Sequence, residues 1–242
     1  MNNSRLMKGL LFSVASLTLA TTAQASNLCA TDADRAIIAT ELKKGHGISL
    51  EKISDKTGIS IARLIDALPA ERRTRVAGDN FTKIWEMMRT WRDAQVVVEK
   101  AGSYFTTRGR LPEGAPSVFG SKFFNLNPNT LHIGGHLRPD AIAAIYAAKV
   151  PSTEGEYGAV LAFDVNGEAI FRVLSIPDGT PAPGQIPVTT PEMVAEYKEK
   201  QKDQKTASPA EHKHEEPEAG WYPKEFLTTM AKMGSLPQVC RS

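Results

Sequence analysis

Cysteine is scarce in this chain, because only Cys29 and Cys240 occur among its 242 residues. No Cys-x-x-Cys spacing exists, so the sequence shows neither a thiol redox motif nor a zinc site built from cysteines. A lone pair of cysteines in an oxidising compartment most often forms a disulfide. We therefore expect a Cys29–Cys240 bond that ties the two ends of the chain together, with two free thiols as the alternative.

Long apolar runs are absent too. The longest, residues 9–20, is shorter than the roughly 20 residues that span a bilayer, so we expect no membrane span. This run follows Arg5 and Lys8 and precedes Ala23-Gln24-Ala25, which is the layout of a secretory signal peptide. We expect residues 1–25 to be removed and the mature protein to work in the periplasm. A buried N-terminal helix is the alternative.

A strong net charge is also lacking. The formal net charge of +2 is too close to neutrality to point to nucleic acid or to an anionic membrane as the partner. Familiar catalytic motifs are missing as well: there is no phosphate-binding glycine loop, no Gly-x-Ser-x-Gly and no His-Glu-x-x-His. These absences favour a protein that is not an enzyme.

What the sequence does contain is a change from helical to strand periodicity after Trp91. The strand-like runs are joined by short turns, including an Asn166-Gly167 hairpin signal. This order predicts an α+β fold in which an antiparallel β-sheet meander is flanked by helices. We expect the following division: an α+β domain at 29–203, with a helical part at 31–92, a sheet part at 94–175 and a helix at 191–203; a flexible linker at 204–220; and a C-terminal helix at 221–242.

Two helical segments invite a functional interpretation. Residues 48–68 resemble a helix-turn-helix, which in other proteins places its second helix in the DNA major groove. That helix offers only Arg63 as an obvious contact and an exported protein does not meet the chromosome, so we interpret the segment as structural and expect no nucleic acid partner. The stripe of Phe81, Ile84, Trp85, Met88 and Trp91 has helical spacing, and we interpret it as core rather than as a cofactor site.

Four of the five histidines fall into two groups, and His46 lies in a predicted turn. In the run from His132 to Arg138, the Gly134-Gly135 pair would cost a helix about 2 kcal/mol, which favours a strand. In a flat strand His132 and His136 stand roughly 13 Å apart, too far to share one zinc ion. His136 and Arg138 then present an imidazole and a carboxylate-binding fork on one face. The second group, in residues 212–216, is interpreted as solvated linker rather than as a weak metal site.

Several of these runs together resemble the HutX/ChuX haem-utilisation carrier family. The resemblance extends from about Leu50 to Ser175, in the family's order and spacing. It rests on the following residues: 65–69, 81–85, Trp91, 111–114, 123–126, 134–138 and 164–171.

The resemblance implies an antiparallel sheet flanked by helices, a homodimer, and a cleft that holds haem non-covalently and passes it on. His136 matches the family's histidine and Arg138 its basic residue. A neutral imidazole can bind haem iron, and an arginine can hold a propionate by charge-assisted hydrogen bonds. His132 and Tyr104 are the second choices as iron ligands.

This chain departs from the family pattern at two positions. It has Glu99 where some members have a histidine, and Phe123 where others have a tyrosine. The first hypothesis is a periplasmic haem carrier that exchanges haem with an envelope protein. The alternative is a protein-interaction module that keeps the fold and has lost haem binding. A haem-degrading enzyme is a third option, for which no reductant-binding set is visible.

Overall fold

The computed structural model describes residues 27–44, 49–100, 103–120, 122–127, 133–152, 155–176 and 222–240. The predicted signal peptide, the predicted helix at 191–203 and the predicted linker at 204–220 lie outside these residues. Within the described residues no helix is both long enough and apolar enough to cross a membrane.

Five α-helices are described, and polar caps set where several of them begin. Thr31 and Asp34 form a capping box at the start of the first helix, and Ser49 and Ser60 cap the next two. Gly58 ends the second helix with a φ of 70°. The helices are α1 (Asp32–Leu42), α2 (Leu50–Thr57), α3 (Ile61–Asp66), α4 (Phe81–Met88) and α5 (Lys224–Gly234).

The helix-turn-helix pattern corresponds to α2 and α3, and the structure uses it for packing. Leu64 is completely buried on α3. Arg63, the one side chain that suggested a nucleic acid contact, donates to both carboxylate oxygens of Asp34 at 2.6–2.9 Å. The ion pair joins α3 to α1, so Arg63 has a structural partner.

The strands form two antiparallel sheets. The large sheet has the order β1-β7-β8-β9-β2-β3, and the small sheet has the order β4-β5-β6. The strands are β1 (Arg73–Ala77), β2 (Ala94–Lys100), β3 (Ser103–Gly109), β4 (Glu113–Pro116), β5 (Phe124–Asn127), β6 (Gly135–Leu137), β7 (Ala144–Ser152), β8 (Gly155–Phe163) and β9 (Ala169–Ser175).

The predicted α+β class and the antiparallel pairing are confirmed. β7, β8 and β9 form the expected meander, and Gly167 adopts a φ of 76° in the turn between β8 and β9. Two features go beyond the sequence prediction. A short polar strand, β1, pairs with β7, and residues 113–137 contribute a separate small sheet rather than further strands of the large one.

The large sheet separates two hydrophobic clusters. Helices α1–α3 cover one face, where Tyr146 and Leu161 are buried. Helices α4 and α5 and the inner side of the small sheet cover the other, where Val160 and Val173 are buried. The predicted aromatic stripe belongs to this second cluster: Phe81, Ile84, Trp85, Met88 and Trp91 are each at most 2 % exposed. The core interpretation of the stripe is confirmed.

The C-terminal helix is fixed to the domain by contacts at both of its ends. Phe226 and Met233 are fully buried, and Trp91 Nε1 donates to Thr229 Oγ1 at 2.9 Å. Beyond the helix, Cys240 forms the predicted disulfide with Cys29, with a Cα–Cα distance of 5.3 Å. The two ends of the described chain are therefore joined covalently.

Candidate functional site

The small sheet is held against the core by aromatic packing. The Phe124 ring meets that of Phe81 edge to face, with centroids 5.1 Å apart. Trp85 Nε1 donates to the Pro112 carbonyl oxygen at 3.1 Å, just before β4. A side chain at Gly114 would collide with the Phe124 ring, so only glycine fits there. These contacts give the small sheet a fixed inner face.

The outer face of the small sheet carries His136. Asn125 and His136 are directly opposite each other in the β5–β6 ladder, whereas their neighbours Phe124 and Leu137 form the adjacent pair. Phe124 is buried and His136 is exposed, as strand alternation requires. Strand alternation therefore points the imidazole to solvent.

Asn125 determines how the His136 imidazole is presented. The Asn125 Oδ1 atom lies 2.7 Å from His136 Nδ1. Because an amide oxygen can only accept, Nδ1 is the donor, and in the neutral imidazole the lone pair then lies on Nε2. Among the described residues Nε2 has no hydrogen-bond partner, so the free lone pair is available to a ligand from solvent.

Phe123 lies close to both the imidazole and a guanidinium group. Its ring centroid is 5.6 Å from that of His136, with an interplanar angle of 53°. The Arg138 Cζ atom lies 5.7 Å from the same centroid, within the range of a cation–π contact. Phe123 is 41 % exposed, so the three side chains form one continuous patch at the surface.

A charged cluster borders this patch. Arg138 donates to both carboxylate oxygens of Asp140, from Nε at 2.7 Å and from its terminal nitrogen at 2.8 Å. Lys122 Nζ lies 3.3 Å from the same carboxylate. The hydrogen bond from Arg138, together with the charge of Lys122, holds the pKa of Asp140 well below its usual value. Two cations share one anion here, which leaves an excess of positive charge.

Gly135 adopts a φ of 135° in β6, a conformation that side chains rarely allow. A Cβ atom placed there would meet no heavy atom within 4 Å, so the requirement for glycine is conformational rather than steric. The sequence interpretation that these glycines permit the close approach of a flat ligand stays a prediction, for which the open space at Gly135 leaves room.

Residues 74–186 match the protein family described as haem utilisation ChuX/HutX. This region, just under half of the chain, is thereby assigned to the ChuX/HutX family. The match covers the large sheet, the small sheet and α4, and it includes every residue of the patch around His136. The family's description assigns it to haem utilisation.

Solved structures share the fold of this protein. An Erwinia carotovora protein is 24 % identical, with a TM-score of 0.53, and the match covers 62 % of this chain and 88 % of that one. The haem-binding protein ChuX is 19 % identical, with a TM-score of 0.52, over 71 % of this chain and 99 % of that one. An Agrobacterium tumefaciens protein is 23 % identical, with a TM-score of 0.50, over 71 % and 88 % of the two chains. No curated protein matches the chain in sequence.

The structure brings together two of the four predicted haem-site residues, His136 and Arg138. Tyr104 lies in β3 of the large sheet, where its backbone pairs with Glu99, and the side chains of both are outside the described part of the structure. His132 also lies outside the described residues. The roles of all four in haem binding stay predictions.

Sequence reasoning missed three residues that contact the side chains of the patch: Asn125, Lys122 and Asp140. The Phe-Phe-Asn-Leu run was noticed only as part of the family resemblance. The pairing of Asn125 with His136 depends on strand register, and no sequence pattern sets the register of β5 against β6 across the intervening residues.

Proposed function

We propose that this protein is a non-covalent haem carrier whose outer small-sheet patch binds the haem, with His136 Nε2 as the axial ligand. The observation that carries the proposal is the hydrogen bond between Asn125 and His136 Nδ1, which leaves Nε2 free on an exposed strand. Imidazole nitrogen is a common axial ligand of haem iron. In histidines that bind a metal, a hydrogen bond from the other ring nitrogen orients the imidazole and raises its basicity.

The surroundings of His136 fit the other parts of a haem molecule. Phe123 offers an exposed aromatic ring against the imidazole, suited to the apolar porphyrin. Lys122, whose side chain is 73 % exposed, offers a cation for a propionate. Arg138 uses two of its five N–H groups on Asp140 and keeps three for a further acceptor.

Features at the two ends of the chain support the proposed cellular role. The signal-peptide pattern of residues 1–25 and the Cys29–Cys240 disulfide support a periplasmic carrier. In that compartment the carrier would receive haem from one envelope protein or deliver it to another. We also propose the homodimer that the family resemblance implies.

A hemin titration of residues 26–242, followed by absorbance, tests this function. We expect a Soret band that shifts on binding, lost or strongly weakened in His136→Ala. His214→Ala, in the predicted linker, is the matched control and should bind like the wild type. Unchanged binding in His136→Ala would remove the site assignment. Biliverdin-like products in the presence of an electron donor would contradict the carrier and favour an enzyme.

A second candidate is a protein-interaction module that keeps the family fold without binding haem. What favours it is that Glu99 and Phe123 stand at positions where some members of the family it resembles have a histidine or a tyrosine, so two candidate iron ligands are missing. A wild-type protein that stays colourless throughout the hemin titration would support this candidate over the carrier.

A further inference from the structure

The hairpin between β4 and β5 ends in an apolar tip. Ser117 N–H donates to the Phe123 carbonyl oxygen at 2.8 Å, which closes the turn, and Gly120 adopts a φ of 70° within it. Val118 and Phe119 stand next to each other at this turn, and both are almost completely exposed. Exposed apolar side chains are ordinary when isolated, but two adjacent ones on a hairpin tip are a feature of surfaces that bind something.

The tip belongs to a stretch of chain without acidic residues. No Asp or Glu occurs between Glu113 and Asp140 in the sequence, whereas Lys122 and Arg138 both lie there. Asp140 is shared by these two cations, so it neutralises only one of the two positive charges. The near-neutral charge of the whole chain conceals this local positive surface.

We propose that the hairpin tip docks on an anionic lipid bilayer, with Val118 and Phe119 entering the interface and Lys122 facing the lipid phosphates. Exposed apolar side chains next to a cation are the combination that binds such surfaces. This site goes beyond the haem-carrier function: its apolar side chains, Val118 and Phe119, take no part in the proposed haem contact, whereas Lys122 belongs to both sites.

Shape favours a bilayer over a protein as the occupant. A stable protein interface buries roughly 800 Å² on each partner and needs complementary shape, whereas a narrow tip of two side chains offers neither. A bilayer deforms around an inserted side chain and requires no matching pocket. The surface positive charge also complements a phosphate layer without requiring any fixed ion-pair geometry.

Vesicle co-sedimentation of residues 26–242 tests the proposal. This chain contains every described residue and lacks the apolar run at 9–20, which would bind lipid by itself. The vesicles are phosphatidylethanolamine with phosphatidylglycerol, compared with phosphatidylcholine alone. The variants are Val118→Ser, Phe119→Ser and Lys122→Gln. Phe105→Ser is the matched control, because Phe105 is 79 % exposed but lies on β3, at the edge of the large sheet.

We expect binding to the phosphatidylglycerol vesicles that weakens about tenfold in Phe119→Ser, since a buried phenyl ring is lost. Lys122→Gln should weaken it about fivefold, and added salt should reduce that difference. Phe105→Ser should bind like the wild type.

Three results would overturn the proposal: no binding of the wild type to the anionic vesicles, equal binding by Phe119→Ser, or an equal loss in Phe105→Ser. Retention of a protein partner through Phe119 without vesicle binding would overturn the assignment to lipid. A Phe119→Trp variant adds a spectroscopic readout, because its emission should shift to shorter wavelength on insertion and that of Phe105→Trp should not. An unshifted Phe119→Trp emission with bound vesicles would place the contact elsewhere on the protein.

Discussion

Two arginine–aspartate pairs in this protein have the same chemistry and opposite surroundings. The Arg75–Asp66 pair lies beside the disulfide, with side chains 9 % and 0 % exposed. The Arg138–Asp140 pair lies beside His136, with side chains 50 % and 32 % exposed. Exposed ion pairs add little to stability, whereas breaking a buried one leaves a charge without solvent or partner. The buried pair therefore contributes to the stability of the fold, whereas the exposed pair is free to exchange partners.

The buried pair is connected to both ends of the chain. Asp66 accepts from Ala30 N–H at 2.8 Å, next to Cys29. Arg75 donates to the carbonyl oxygens of Val239 and Cys240. These hydrogen bonds fix the two chain segments on which the disulfide forms, so the covalent and ionic contacts act on the same junction.

The largest effect is expected from Asp66→Ala. The change leaves the buried guanidinium of Arg75 without its carboxylate and should lower the free energy of unfolding by about 3–5 kcal/mol. Urea unfolding of the oxidised protein measures it. Asp140→Ala is the control, and its unfolding midpoint should equal that of the wild type. Equal midpoints for the two variants would show that burial does not distinguish the pairs.

The next effect is expected from removal of the disulfide. The double change Cys29→Ser with Cys240→Ser should lower the free energy of unfolding by about 2–4 kcal/mol, because the unfolded chain is no longer closed into a loop. Hemin binding should be retained, since the candidate site lies on the small sheet. Reduced wild-type protein provides the control for the serine substitutions. A loss of hemin binding in both would mean that the junction and the site are coupled.

Asp140→Asn tests whether the carboxylate of the exposed pair competes with hemin for Arg138 and Lys122. The change releases Arg138 and Lys122 from their shared carboxylate and should tighten hemin binding a few-fold, through stronger contacts to the propionates. Arg138→Gln should weaken binding in the same absorbance titration. If Asp140→Asn instead weakens binding, the carboxylate serves to position Arg138 rather than to compete with the ligand.

The smallest effect concerns acid stability. Burial alone would raise the pKa of Asp34, but hydrogen bonds from the Thr31 N–H and from Arg63 hold it below its usual value. A lowered pKa means that the contribution of Asp34 is present above about pH 4 and is lost as the pH falls through the pKa of the folded state. Asp34→Asn should therefore flatten the acid side of a stability profile measured by urea unfolding. Asp140→Asn should leave that side steep, because solvent screens the exposed pair, and the opposite ranking would contradict the role given to burial.

The parts of the fold that sequence could predict are those governed by local periodicity. The stripe from Phe81 to Trp91 marks a buried helix, and Asn166-Gly167 marks a hairpin, because spacing and turn chemistry are properties of neighbouring residues. β1 escaped prediction because its residues, Arg-Thr-Arg-Val-Ala, are mostly polar, and only its pairing with β7 makes it a strand. Such pairing is a tertiary property that no local pattern carries.

In the candidate site, too, only the features set by local sequence could be predicted. The strand interpretation of the Gly-Gly-His run placed His136 on a strand, and the structure puts it on the outer face of β6. Asp140, only two residues beyond Arg138, was missed because the turn after β6 is what folds its carboxylate back onto the guanidinium. The hydrogen bond from Asn125 depends on register between two strands. The residue types of the site could therefore be predicted from the sequence, whereas their hydrogen-bond and ion-pair partners could not.

We propose that Asn125 holds His136 so that Nε2 is free to bind haem iron. ¹⁵N NMR of histidine-labelled protein at neutral pH tests this most directly. We expect that His136 carries its proton on Nδ1 in the apo-protein, that Asn125→Leu shifts the population toward the Nε2–H form, and that hemin strongly perturbs the wild-type signal. A wild-type His136 with the proton on Nε2, or one that hemin leaves unperturbed, would contradict it.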